Sequence, residues 1–115
     1  MRRPVLAAIA ATLVAAPALA HHGWGSYDSG TMLTLTGKVQ EMTYNNPHGT
    51  LRLETPDKVW LVILAPPSRM RNRGLPSDMM EAGTTVTVTG YPHRSDPAEM
   101  RAERITIDGK TTELR

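Results

Sequence analysis

TMLTLTGKVQEMTY, residues 31–44, decides the fold. Leu33, Leu35, Gly37 and Val39 alternate with Thr34, Thr36 and Lys38, the period-two pattern of a half-buried strand. Met42 and Tyr44 fall on the opposite parity. A phase change beyond a mid-strand glycine predicts a bulge or a sharp bend. A long first strand bent in this way suits a small sheet that closes on itself and so removes its exposed edges.

Asn45-Asn46-Pro47-His48-Gly49, which follows, is dense turn chemistry. Thr50 to Thr55 reads as a second strand, with Leu51 and Leu53 inward and Arg52 and Glu54 outward. Pro56-Asp57 makes a tight turn into a third strand, Lys58 to Leu64. Its core, VWLVIL, is apolar at every position, so both faces should be covered or one should carry a binding surface. Ala65-Pro66-Pro67 ends it. Ser68 to Gly83 predicts two short helical turns, the first capped by Ser68 and stopped by Gly74, the second holding Met79 and Met80. Thr84 to Gly90 is a fourth strand, Tyr91 to Pro97 a loop, and Met100 to Ile107 a fifth strand. Asp108-Gly109 is a strong hairpin signal before a short last strand, Lys110 to Leu114. The order predicts an all-β, OB-like barrel of five to six strands with a short helical connection between strands three and four. A small β-sandwich or an SH3-like barrel is the alternative.

Residues 1–20 read as a signal peptide. Arg2 and Arg3 form a positive start, Val5 to Ala16 an apolar run, and Ala18-Leu19-Ala20 an A-x-A cleavage site. The run is shorter than the roughly 18 to 20 apolar residues that span a bilayer. The expected protein is therefore periplasmic or secreted and free of the membrane after cleavage. Residues 21–30, HHGWGSYDSG, read as an extended arm, and residues 31–115 as the barrel domain.

Composition narrows the function. The 115 residues contain no Cys, which excludes disulfides, thiolate metal sites and a Cys nucleophile. The net charge of +2 includes Arg2 and Arg3 of the leader. The rest of the chain is balanced and shows no basic stripe for nucleic acid. No phosphate-cradling Gly-rich loop is present. Ser26, Ser68, Ser77 and Ser95 lie in no nucleophile motif, so an enzyme is not expected.

The stretches HHGWGSYD, LTGKV, NNPH, VWLVILAPPSRM, RNRGL, TVTGYP and DPAEMRAERIT together resemble a family of small secreted bacterial proteins known only as a domain of unknown function. The resemblance covers nearly all of the chain after the leader. It implies an exported β-barrel and supplies no activity, so no catalytic set carries over.

The histidines His21, His22, His48 and His93 are the candidate chemistry. Cleavage after Ala20 would give His21 a free α-amine, which can chelate one ion together with the ring Nδ1. The amine and imidazole lose their protons readily near neutral pH, with ordinary pKa values of about 7.7 to 8.0 and about 6.5. One more imidazole, from His48 or His93, gives three nitrogens in the planar arrangement that suits Cu(II). Copper is the metal this reading expects, with His22 peripheral. The plainer reading is four unspecialised histidines in polar turns. The second functional reading is a metal-independent module that binds a ligand or a periplasmic partner through Trp24, Trp60, Arg69 and Arg73. The methionines are scattered over strands and turns, as core fillers are. Oligomeric state is not legible.

Overall fold

The computed structural model describes Arg2 and residues 23–115. The signal-peptide assignment for residues 1–20 and the first two histidines, His21 and His22, lie outside the described residues apart from Arg2. Six strands form one sheet: β1 (Leu33–Thr43), β2 (Thr50–Glu54), β3 (Val59–Ile63), β4 (Thr85–Pro92), β5 (Glu99–Ile107) and β6 (Lys110–Glu113). A short helix, α1 (Pro67–Asn72), and a single 3-10 turn, Ser77–Met80, connect β3 to β4.

The strand order is β3-β2-β1-β4-β5-β6, and β3 also pairs with β5. That parallel pairing, Leu61 to Glu99 through Ile63 to Arg101, closes five strands into a barrel and leaves β6 as an addition. The topology is OB-like, as the sequence predicts.

β1 does what its phase change requires. It pairs with β2 and β4, and its register against β2 slips between Val39 and Glu41. Gln40 is the extra residue, so Val39 and Met42 both serve the core side across the bulge. The glycine that signals the bend lies two residues earlier. A Cβ on Gly37 would overlap the Glu54 carbonyl, so the close crossing of β1 and β2 requires glycine there.

Leu51, Leu53, Val62, Leu64, Met70, Leu75, Met80, Val88, Met100, Ile105 and Leu114 are buried in one core. Met70, Met80 and Met100 are completely buried in it, as packing residues are. Met32 is the exception and is exposed. Asp108 and Gly109 both have positive φ, 48° and 77°, the conformation a two-residue hairpin loop demands.

Three local expectations change. Ser68 does not cap α1: the helix starts at Pro67, whose fixed φ and missing N–H suit a first helical position, and no side chain caps it. β4 continues past Gly90 through Tyr91 to Pro92, because β5 pairs with it across that whole length. Residues 23–30 are not a plain extended arm. They hold a 3-10 turn, Trp24–Ser26, and a side-chain turn at Asp28, whose carboxylate accepts from Gly30 N and Thr31 Oγ1. Those two bonds hold the Asp28 carboxyl below its ordinary range.

Candidate functional site

The described part of the arm is strapped to one rim of the barrel, where the β1–β2 and β4–β5 connections lie. Tyr27 forms a backbone bridge with His93. Asp28 N donates to the Pro92 carbonyl, Arg94 N to the Ser26 carbonyl, and Arg94 Nε to the Gly25 carbonyl. The Tyr27 side chain is buried and its hydroxyl donates to Glu99 Oε2 at 2.6 Å. Burial first, then the hydrogen bond and charge of Glu99, push the Tyr27 hydroxyl well above its ordinary pKa.

His93 completes this latch. Its ring packs edge-on to Tyr27, with centroids 5.2 Å apart. Its Nδ1 accepts from the backbone N–H groups of Ser95 and Asp96. Its Nε2 lies 3.8 Å from the same Glu99 oxygen that Tyr27 holds. An Nδ1 accepting two N–H groups carries no proton of its own, so Nε2 faces Glu99 with the ring proton.

A second cluster forms one turn of the arm away. Arg101 projects from the outer side of β5, between the inward Met100 and Ala102, and yet is only 6% exposed. Trp24 covers it, the guanidinium carbon lying 4.2 Å from the indole centroid. Arg101 donates to His48 Nε2 at 3.3 Å. Because arginine has no acceptor, His48 Nε2 must be the unprotonated nitrogen. Arg115, from the C-terminal end, lies 4.4 Å from the same Trp24 centroid, and Tyr91 packs edge-on to that ring at 6.2 Å. Burial lowers the Arg101 pKa most, and the Arg69 and Arg115 charges lower it further against an opposing Tyr27 contribution. Arg115 reaches Glu103 at 3.6 Å, and the same residue accepts from the Tyr91 hydroxyl.

The remaining sequence candidates have structural surroundings. Trp60 is buried in the core, on the inward parity with Val62, and Lys58 sits over its ring at 4.3 Å. Arg69 donates to the Leu114 carbonyl, and Arg73 to the Glu113 and Arg115 carbonyls. These two arginines therefore tie α1 to the C-terminal end. His93, on the β4–β5 connection, touches the arm at Tyr27, whereas His48, on the β1–β2 connection, meets Arg101, which Trp24 covers. Among the described residues no group of three or more His, Asp or Glu could hold a metal ion. Arg101 was the residue that sequence reasoning passed over. Its signal was present but faint: an arginine on a strand position flanked by two small or apolar core residues.

Fold and rim together define a small all-β barrel of OB topology with a strapped N-terminal arm. The chain belongs to the family of unknown function DUF6152, whose model matches residues 9–102. No curated protein matches it. Among solved structures it is similar to a chain in the crystal structure of a complex of TiaS with tRNA and ATP, at a TM-score of 0.54 and 18% identity. The match covers 77% of this chain and 20% of that one, and it speaks to the fold alone.

Proposed function

We propose that the protein is an exported metal-binding protein that holds copper through its processed N-terminus. The ligands are the α-amine and Nδ1 of His21 and the imidazole of His48. The observation that supports this reading most is the contact chain Trp24–Arg101–His48. Three residue steps separate Trp24 from His21, a reach of at most about 10 Å. The Nε2 of His48 faces Arg101 at 3.3 Å. His93 is engaged at both nitrogens by the latch. His22 stays peripheral, offering at most its backbone amide.

The deciding experiment is a Cu(II) titration of untagged protein that begins at His21, with intact mass confirming the terminus, beside a version carrying one residue before His21. One-to-one binding lost on extension supports the terminal chelate. Equal, weak binding by both overturns it and favours the metal-independent module, to be pursued through partner capture from periplasmic extract.

A further inference from the structure

Acidic and basic residues balance in the chain after its leader, but the fold does not spread them evenly. β6 and the end of α1 bring Arg69, Arg73, Lys110 and Arg115 together. Arg69 donates to the Leu114 carbonyl at 3.0 Å, Arg73 to the Glu113 carbonyl at 2.8 Å, and Lys110 Nζ to the Gly74 carbonyl at 2.6 Å. A carbonyl fixes a cation in place without cancelling its charge. Among the described residues no Asp or Glu side chain pairs with these three. Arg115 meets Glu103 at 3.6 Å, and Glu103 is shared with the Tyr91 hydroxyl. Arg73, Lys110 and Arg115 are exposed. An apolar edge adjoins them. Arg115 lies 4.4 Å from the centroid of the half-buried Trp24 indole, and Tyr91 packs edge-on to that ring. Met32 precedes Leu33, the partner of Gly90, and so stands at the Tyr91 end of β4. At 56% it is the most exposed large hydrophobic side chain among the described residues. The Arg94 charge acts on Asp28, the carboxylate nearest Met32 in the chain, and offsets it.

We infer that this face docks on an anionic phospholipid surface, with Met32 and the edge of Trp24 in the interfacial layer and Arg73, Lys110 and Arg115 against lipid phosphates. Charge complementarity argues for the anion, and a guanidinium fork matches phosphate in shape as well as in charge. The exposed thioether and the indole argue for a lipid surface over a soluble polyanion, because a ring with one apolar and one polar edge suits the headgroup layer. The docking is peripheral: no helix among the described residues is long and apolar enough to cross a membrane. It needs no copper and stands apart from the terminal chelate.

Untagged, processed protein is mixed, with a chelator present, with vesicles of phosphatidylcholine alone or of phosphatidylcholine and phosphatidylglycerol, and bound protein is measured by sedimentation. Binding to the anionic vesicles alone is expected, and its loss in about 1 M salt, where the screening length falls to about 3 Å. Trp60 is buried in the core, so a blue shift of tryptophan emission on vesicle binding belongs to Trp24. Arg73→Gln and Lys110→Gln should each weaken partitioning about fivefold, the worth of one cation at an anionic surface. Met32→Ser should weaken it too and leave thermal stability unchanged, because that side chain is exposed. Lys38→Gln removes a cation opposite Thr85, at the far end of the β1–β4 pairing, and should change partitioning by less than about twofold. Equal binding to neutral and anionic vesicles, binding to neither, or equal losses from Lys38→Gln and Lys110→Gln overturns the inference. Binding to poly-glutamate without any binding to vesicles also overturns it and assigns the cations to an acidic polypeptide. Should Arg73→Gln not fold, Lys110→Gln and the salt dependence decide.

Discussion

The guanidinium carbon of Arg101 lies 4.2 Å from the centroid of the Trp24 indole, and this stack joins the arm to the barrel. Arg101 alternates with core residues along β5, so its side chain leaves the barrel on the outer side. It would be solvated there without the arm. The indole removes it from water and gains a second cation, Arg115, at 4.4 Å. Burial of a charge is tolerated where a ring face and an imidazole acceptor replace the lost water.

Trp24→Ala is therefore expected to cost about 2 kcal/mol, the sum of desolvated cation–π contact and lost packing. For a domain of this size that corresponds to a fall in Tm of roughly 10 °C. The arm should loosen at the same time. Hydrogen exchange at the Arg94 amide, which donates to Ser26, measures it directly. Unchanged exchange there would show that the arm is held without the Trp24 stack.

Tyr27→Phe removes the hydroxyl that donates to Glu99 at 2.6 Å, and about 1–2 kcal/mol of stability should go with it. The same group makes a pH prediction. An unfolded tyrosine ionises near pH 10. The folded Tyr27 holds its proton to higher pH, because burial and Glu99 both oppose the phenolate. Above pH 10 the unfolded chain thus binds fewer protons than the folded one, and stability falls as pH rises. Below pH 10 both states keep the proton and Tyr27 adds no slope. Urea titrations between pH 8 and 12 should show an alkaline loss that is smaller in Tyr27→Phe. Parallel curves for the two proteins would refute the assignment.

The barrel was legible in the sequence because its cues are local. The parity switch from Val39 to Met42 announced the bulge, and Asp108-Gly109 announced the last hairpin. The all-apolar run at Val59–Ile63 was ambiguous. Trp60 and Val62 turn inward, while Leu61 and Ile63 gain partial cover on the outer side, where β3 meets β5. No local pattern distinguishes that from a ligand face. The site was legible only as residue types. His48 and His93 are 45 positions apart, and the fold brings one to Arg101 beneath Trp24 and the other to Tyr27. Arg69 and Arg73 read as candidates for binding a ligand or partner, yet in the fold they donate to backbone carbonyls at the C-terminal end, which carry no sequence signature.

Gly90 tests how closely β5 must approach β4 for Arg101 to be placed. It sits opposite Ala102 beside a register slip, and a Cβ there would overlap the Arg101 carbonyl. Gly90→Ala is expected to cost about 3 kcal/mol, because the obstructing atom is backbone and cannot rotate aside. The near-ultraviolet signal of Trp24 should weaken in the native state as Arg101 shifts with its strand. Gly25→Ala is the control. Its Cβ would meet nothing within 4 Å, and its cost should stay within about 0.5 kcal/mol.

His48→Ala and His93→Ala should separate cleanly. His93 accepts two backbone N–H groups and packs against Tyr27, so its loss acts on the arm. The freed N–H groups of Ser95 and Asp96 are exposed and find water, which limits the cost of His93→Ala to about 1–2 kcal/mol. Copper affinity in that variant should stay within about threefold, since a loosened arm still carries both terminal nitrogens. On the proposed chelate, His48→Ala would remove one of three ligands and should weaken copper at least a hundredfold, about 2.7 kcal/mol. It also takes the acceptor from Arg101, so some stability goes as well. Calorimetric copper titrations and thermal unfolding of the two variants therefore move in opposite order: His93→Ala retains the metal, and His48→Ala loses it. If His93→Ala loses the metal instead, the third nitrogen is His93, and the latch at Glu99 must open for copper to bind.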